Sequence, residues 1–96
     1  MLTDNEKELI RELAHLIKKE RIAQGRTRDA LAEVVNLSTR AIEEFETRYT
    51  NIGASKLINI LLALHIDFNE VKALAKRHMN EEMAEKINNL GKHWNG

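Results

Sequence analysis

The stretch from Thr27 to Glu46 constrains the fold more than any other part of the chain. Thr27 and Ser38 each stand just before an apolar run, at a position where a hydroxyl can cap a helix. Asn36, between the two runs, is a residue that tolerates a positive φ. The apolar residues recur at helical spacing and are Ala30, Leu31, Val34, Val35, Ile42 and Phe45. The stretch therefore predicts two short helices that meet across a tight turn.

Helical patterning continues on both sides of this segment. Thr3 and Glu6 have the spacing of a capping box and open a first helix that we predict to run from Asp4 to about Gln24. Gly25 supplies the left-handed position at which helices often end. The apolar residues of this helix are Leu9, Ile10, Leu13, Leu16 and Ile17.

Three more helices are predicted after a loop from Arg48 to Ile52. Gly53 precedes a fourth helix whose apolar residues cover nearly its whole circumference, which predicts burial in the centre of the domain. Asp67 and Glu70 repeat the capping-box spacing before a fifth helix. Asn80 precedes a sixth, which has two glutamates in its first turn. These elements complete a compact bundle of five to six helices.

The composition agrees with an all-α fold. The chain has no proline and only 4% aromatic residues, so strand signals are weak while helix formers dominate. Its 96 residues suit one hydrophobic core rather than two. We expect a main domain at residues 1–78, which carries the two short helices of residues 27–46, and a C-terminal helix at residues 79–96.

The residue types present disfavour several classes of site. Without cysteine the chain has no disulfide framework and no thiolate zinc site. Its four histidines fall in no pair with metal-ligand spacing, and neighbouring glutamates on a helix point to different sides. We therefore expect no enzyme, no catalytic residue, no metal and no cofactor. The polar start of the chain and the lack of a long apolar run favour a cytoplasmic protein without a membrane partner.

The segment from Lys18 to Glu46 resembles the Cro and phage-repressor family, whose lambda-repressor-like domains carry a helix-turn-helix, and the likeness continues to Ile66. In such domains the second helix of the motif enters the major groove of double-stranded DNA. The resemblance implies a DNA-binding transcription regulator. The residues that carry it are specific in combination: Arg21, Gly25, Thr27, Leu31, Ala32, Leu37, Ser38, Ile42 and Glu46.

The resemblance also implies roles for individual residues. Arg21 and Glu46 are expected to form an internal ion pair that ties the first helix to the end of the third. The Arg40 guanidinium is suited to guanine O6 and N7. The expected base contacts are Thr39, Arg40, Glu43 and Glu44. The expected contacts to the DNA backbone are Thr27, Arg28, Ser38, Thr47 and Arg48.

Charge leaves a second function open. Fifteen basic and fifteen acidic residues cancel to a formal net charge of zero, and Glu43, Glu44 and Glu46 place three acids on the helix that would meet DNA. Exposed carboxylates near phosphates oppose DNA binding. The alternative is a protein-interaction module, antirepressor-like or antitoxin-like, that uses the acidic third helix or the apolar side of the C-terminal helix to hold a basic protein partner.

A stripe of apolar residues runs along the predicted C-terminal helix, at Met83, Ile87, Leu90 and Trp94. Either it folds back onto the core of its own chain, or it forms the interface of a two-fold homodimer. A dimer can present two recognition helices to half-sites about 34 Å apart. We therefore predict a homodimeric repressor that occupies a palindromic operator.

Overall fold

The computed structural model describes the backbone of residues 2–93 and the side chains of residues 2–91, and within that range every regular element is a helix. The predicted all-α fold with five to six helices is confirmed. The six helices are α1 (Asp4–Ala23), α2 (Arg28–Val35), α3 (Thr39–Arg48), α4 (Ala54–Ala63), α5 (Phe68–Arg77) and α6 (Glu81–His93).

The first helix forms where the sequence predicts it because both of its ends are capped by local chemistry. At the start of α1 the Thr3 hydroxyl accepts a hydrogen bond from the Glu6 amide at 3.1 Å, and the Glu6 carboxylate accepts one from the Thr3 amide at 2.9 Å. At its end Gly25 has a φ of 68°, and the Arg26 amide donates to the Arg21 carbonyl at 3.0 Å. This left-handed cap ends α1 one residue earlier than predicted.

The turn between α2 and α3 also follows from local residues. Thr27 and Ser38 each accept a hydrogen bond from the amide three residues ahead, at 3.1 and 3.0 Å, and so cap the two helices. Asn36 adopts the left-handed conformation with a φ of 56°. The Lys56 ammonium, from α4, donates to the carbonyls of Val35 and Asn36 at 3.2 Å each. The end of α2 is thereby satisfied, and the predicted helix-turn-helix is confirmed.

The core lies where α1, α2, α3 and α4 meet. Ile42 and Phe45 are the contribution of α3, and they are 1% and 2% exposed. One face of α3 is therefore fixed against the other helices, while its opposite face remains at the surface. The buried cluster consists of Ala14, Ile17, Leu31, Ala32, Val35, Ile42, Phe45, Ile60, Leu61, Leu64 and Ile66.

The fourth helix is not buried on all sides, so that prediction is wrong. Ile60 and Leu61 are buried, but Ile58 and Leu62 are 46% and 59% exposed. A small domain has one core, which reaches only one side of α4, and this helix packs mainly against α2. Its outward apolar side chains form a surface patch instead of an inner layer.

Two further helix ends differ in detail from their predictions. α3 continues through Arg48, the first residue of the predicted loop, and is followed by Tyr49 with a φ of 58°. Asp67 caps α5 through the amide of Asn69, at 2.8 Å, whereas the predicted capping box would place that bond on the amide of Glu70. Both differences are local and leave the order of the elements unchanged.

The sixth helix begins as predicted, with the Asn80 side chain accepting a hydrogen bond from the Met83 amide at 2.7 Å. No side chain between residues 81 and 91 is buried, so this part of α6 does not join the core of its own chain. Trp94, the last residue of the predicted stripe, lies outside the described residues. The stripe is therefore represented by Met83, Ile87 and Leu90.

Candidate nucleic-acid interface

The outer face of α3 carries polar side chains away from the core. Residues three or four apart on a helix share one side, and this spacing separates the polar side chains from Ile42 and Phe45. Glu44 is partly buried, and the other members of the outer face are exposed. The outer face consists of Thr39, Arg40, Glu43, Glu44, Thr47 and Arg48. It thus includes all four expected base contacts and two of the expected backbone contacts.

An ion cluster fixes the C-terminal half of α3. Arg21 of α1 donates to both carboxylate oxygens of Glu46, from Nε at 2.7 Å and from Nη2 at 2.9 Å, and its Nη1 donates to the Arg26 carbonyl at 2.8 Å. The Arg21 and Glu46 residues are only 8% and 3% exposed. A two-pronged arginine bond of this kind defines both distance and angle. Its effect is to tie α1 to α3, the role that the family resemblance implied.

Arg28 is the second partner of Glu46. Its Nε donates to Glu46 Oε1 at 3.0 Å, and its side chain is 31% exposed. Sequence reasoning placed Arg28 against DNA phosphates and missed this contact. Two arginines on one carboxylate leave the cluster with one net positive charge. The negative charge of Glu46 is therefore more than neutralised.

The pKa of Glu46 reflects a contest between burial and its two arginines. Burial raises the pKa of this carboxyl, but the hydrogen bonds and positive charges of Arg21 and Arg28 outweigh that effect and hold the pKa below its ordinary value. Glu46 is therefore ionised at neutral pH and fully engaged inside the protein. Of the three acids on α3, Glu46 is the one that points into the protein instead of toward the surface that would meet DNA.

Arg40 and Glu44 pair with each other on the outer face. Arg40 Nε donates to Glu44 Oε1 at 3.0 Å, and the two side chains are 82% and 35% exposed. An exposed pair four residues apart on a helix is worth only about 0.3–0.5 kcal/mol. The Arg40 guanidinium can therefore leave Glu44 for another partner at little cost.

Two hydroxyls on the outer face donate to acceptors of their own chain, and a third, at the start of α2, only accepts. The Thr39 hydroxyl donates to the Asp29 carboxylate of α2, and the Thr47 hydroxyl donates to the Glu43 carbonyl at 2.8 Å. The Thr27 oxygen serves as the α2 cap, but its hydroxyl proton can still be donated. The contact between Thr39 and Asp29 links the N-terminal ends of α2 and α3.

The expected contact residues form two neighbouring groups on the surface. A shallow depression is lined by Thr27, Arg28, Asp29 and Thr39, at the starts of α2 and α3, with Arg21 behind them. A second depression lies along α3 and is lined by Arg40, Glu43, Glu44, Thr47 and Arg48. Ser38 stands at the start of α3 as its cap. The structure thus places every expected base or backbone contact on α3 or at the start of α2 or α3.

A family model described as Helix-turn-helix matches residues 17–71, which is more than half of the chain. The chain belongs to the Cro/C1-type helix-turn-helix family. The members of this family are DNA-binding regulatory domains and typically not enzymes. The match covers the end of α1, all of α2, α3 and α4, and the start of α5, whereas α6 lies outside it. No curated protein and no solved structure matches the chain significantly.

The charges on the outer face of this Cro/C1-type domain are balanced. Arg40 and Arg48 stand against Glu43 and Glu44, so the four charges cancel. The Arg21–Arg28–Glu46 cluster adds one positive charge beside them, and Asp29 adds one negative charge. These charges of the expected contact residues and their direct partners therefore sum to zero.

Asp29 is the functional candidate that sequence reasoning missed in this helix-turn-helix. It lies ten residues before its partner Thr39, and no local pattern links the two. The sequence offers only an indirect indication of this contact. The two residues lie in the first turns of α2 and α3, and the starts of these helices come together in a helix-turn-helix. Asp29 acts here on the orientation of Thr39.

The part of the chain that the structure describes has neither a metal site nor a membrane-spanning helix. Within it, no group of three or more histidine, aspartate or glutamate side chains could hold a metal ion. None of its helices combines the length and the apolar character needed to cross a membrane.

Proposed function

We propose that the chain is a sequence-specific transcriptional repressor that binds DNA as a homodimer. The observation that carries the proposal is the outer face of α3, which is exposed while the opposite face is held by Ile42, Phe45 and the ion pair between Arg21 and Glu46. A helix held by packing and hydrogen bonds presents its side chains in a defined geometry. An α-helix with its side chains is about 10–12 Å across, which suits a major groove about 12 Å wide.

Arg40 is the residue best suited to read sequence. Its guanidinium is exposed near the N-terminal end of α3, the end that contacts base edges in helix-turn-helix complexes. Two of its N–H groups match guanine O6 and N7. The weak pair with Glu44 leaves the guanidinium free to turn to a base, and Glu43 can accept from a cytosine amino group.

Contacts to the DNA backbone are proposed at the helix starts and at the end of α3. Helix N-termini favour phosphate because their first amides and the helix dipole point toward it, and Thr27 and Ser38 stand at two such ends. Arg48 supplies a positive charge at the other end of the outer face. Arg28 contributes through the exposed part of its guanidinium while Nε remains with Glu46.

Repression by occupancy is the simplest use of such a domain. One recognition helix touches few base pairs, whereas a two-fold dimer presents two helices to the half-sites of a palindrome. A bound dimer excludes other proteins from the same stretch of DNA, and this needs no activating surface. The operator is accordingly expected to be a short inverted repeat.

Selection from a random duplex library at low salt tests the proposal. The wild-type chain is expected to enrich an inverted repeat, and its affinity for the enriched duplex should fall steeply as salt rises because phosphate contacts release counterions. The Arg40→Ala variant serves as the comparison and should enrich a less defined sequence. Absence of any enrichment by the wild-type chain at low salt would contradict the proposed function.

The balanced charge of the outer face supports a second candidate, a module that holds a basic protein. Arg40 is paired with Glu44, and Thr39 with Asp29, so the face is self-satisfied in the absence of DNA. Glu43 is exposed and available to a cationic partner. This candidate predicts a stable complex with a basic protein that Glu43→Gln weakens, together with a failed duplex selection.

A further inference from the structure

α6 has an apolar side that the described part of the chain leaves uncovered. Met83, Ile87 and Leu90 follow one another at helical spacing and are 53%, 45% and 65% exposed. A 13-residue helix is only marginally stable in water on its own and depends on the packing of its apolar side. A surface that packs against these side chains would therefore stabilise α6.

A groove beside α6 continues the same apolar surface. It lies between the start of α1, the end of α5 and α6, and its apolar lining includes Leu9, Ala75, Met79, Met83 and Ile87. Met83 and Ile87 belong both to the groove wall and to the stripe on α6, so a single occupant can cover the two together. Contiguous exposed apolar surface of this kind marks an interaction site.

We propose that the occupant is α6 of a second copy of the chain, packed antiparallel to the first and crossing it near Ile87. The inference rests on the homodimer of the proposed function and specifies the surface that forms it. A two-fold interface uses the same patch on both copies. Each stripe then covers the other, and Leu90 of each copy lies over the groove beside Met83 of the other.

The charge distribution of α6 determines the orientation. Its first half carries three acids, Glu81, Glu82 and Glu85, and one base, Lys86, which is paired with Glu82 at 3.0 Å. A parallel pair would bring the two acidic halves side by side, and like charges on facing helices repel. An antiparallel pair separates them and sets each against the second half of the partner helix, where residues 88–91 include no acid. Opposed helix dipoles favour the same arrangement.

Sedimentation equilibrium without DNA tests the surface with two matched variants. Leu90 on α6 and Leu62 on α4 are the same residue type at similar exposure, 65% and 59%, so a charge at either position leaves the core intact. Leu90→Glu is expected to raise the dimer dissociation constant about 30-fold or more, the effect of losing an interface hot spot. Leu62→Glu should leave it unchanged.

Three results would overturn the inference: a wild-type chain that stays monomeric, a dimer that survives Leu90→Glu, or a dimer that only Leu62→Glu disrupts. Circular dichroism checks that both variants retain their helices. A dimer that depends on Leu90 but fails to select DNA contradicts the proposed function and leaves this surface standing. DNA binding by a dimer that ignores Leu90→Glu contradicts the surface alone.

Single cysteines test the orientation, since the chain has none of its own. Ile87→Cys is expected to cross-link two copies under oxidising conditions because position 87 faces itself at the crossing point. Met83→Cys should not, because an antiparallel pair separates the two positions by about 12 Å along the helix axis, beyond the reach of a disulfide. Rapid disulfide formation through Met83→Cys would overturn the antiparallel arrangement.

Discussion

Replacing Glu46 by glutamine should destabilise the domain, because it removes the charge from a buried cluster while keeping the shape of the side chain. The carboxylate accepts three hydrogen bonds, from Arg21 at 2.7 and 2.9 Å and from Arg28 at 3.0 Å. Removing one partner of a buried ion pair costs about 3–5 kcal/mol. The amide oxygen of glutamine still accepts one bond and Arg21 keeps the Arg26 carbonyl, so we expect a loss of about 3 kcal/mol, the lower end of that range.

The same substitution should also change how stability depends on pH. The folded-state pKa of Glu46 lies below its ordinary value of 4.5, because its arginines outweigh the opposing effect of burial. The ionised carboxylate therefore stabilises the fold above pH 4.5, and this contribution is lost as pH falls through the lower folded pKa. The difference in stability between wild type and Glu46→Gln should be constant near neutrality and shrink below pH 4.5.

Urea unfolding followed by circular dichroism measures both effects. Glu44→Gln is the matched control, because it makes the same change two residues away on the surface and should cost less than about 0.5 kcal/mol. A decrease in the free energy of unfolding of less than about 1 kcal/mol for Glu46→Gln at pH 7 would refute the reasoning, because the expected decrease is about 3 kcal/mol. So would a difference between the two proteins that stays constant from pH 7 to pH 3.

Three further predictions concern DNA contacts, a helix end and α4. Arg40→Ala should abolish the preference for one base pair in each half-site, at a cost of about 1–3 kcal/mol in binding free energy. Arg48→Ala should instead weaken binding to all duplexes alike and reduce the salt slope by about one. Titration of matched and mismatched duplexes distinguishes the two effects. Gly25→Ala should lower stability by about 1–2 kcal/mol because alanine is strained at the φ of 68°. No clash adds to this cost, since an added Cβ meets nothing within 4 Å. An unchanged melting temperature would refute the prediction. Ile60→Ala should lower the free energy of unfolding by about 2–5 kcal/mol because its side chain is buried. Ile58 is half-exposed, so Ile58→Ala should lower it by under about 1 kcal/mol. Equal decreases in urea unfolding would contradict the one-sided burial of α4.

The starts of α1, α2 and α3 and the turns after α1 and α2 could be predicted because their causes are local. Thr3, Thr27 and Ser38 cap helices through an amide three residues away, and Asn36 and Gly25 adopt the left-handed conformation that their residue types permit. Such interactions need no knowledge of the rest of the fold. The positions of α1, α2 and α3 could therefore be predicted from the sequence.

The burial of α4 could not be predicted, because apolar composition does not specify which sides have neighbours. Ile58 and Leu62 are as apolar as Ile60 and Leu61, yet only the latter pair faces α2 and the core. The partner of Arg28 was missed for a similar reason, since Glu46 lies 18 residues away and meets it only after α2 and α3 have packed. The site was thus predicted as a set of residues on one face, but the contacts among those residues depend on the tertiary fold.

We propose that the outer face of α3 reads base edges in a major groove. Interference by guanine N7 methylation tests it most directly, because that atom lies in the major groove and is one of the two acceptors proposed for Arg40. Methylation of one guanine in each half-site of the selected operator should block binding by the wild-type chain and have little effect on Arg40→Ala. Binding that tolerates methylation of every guanine, or that remains equally sensitive after Arg40→Ala, would contradict the account.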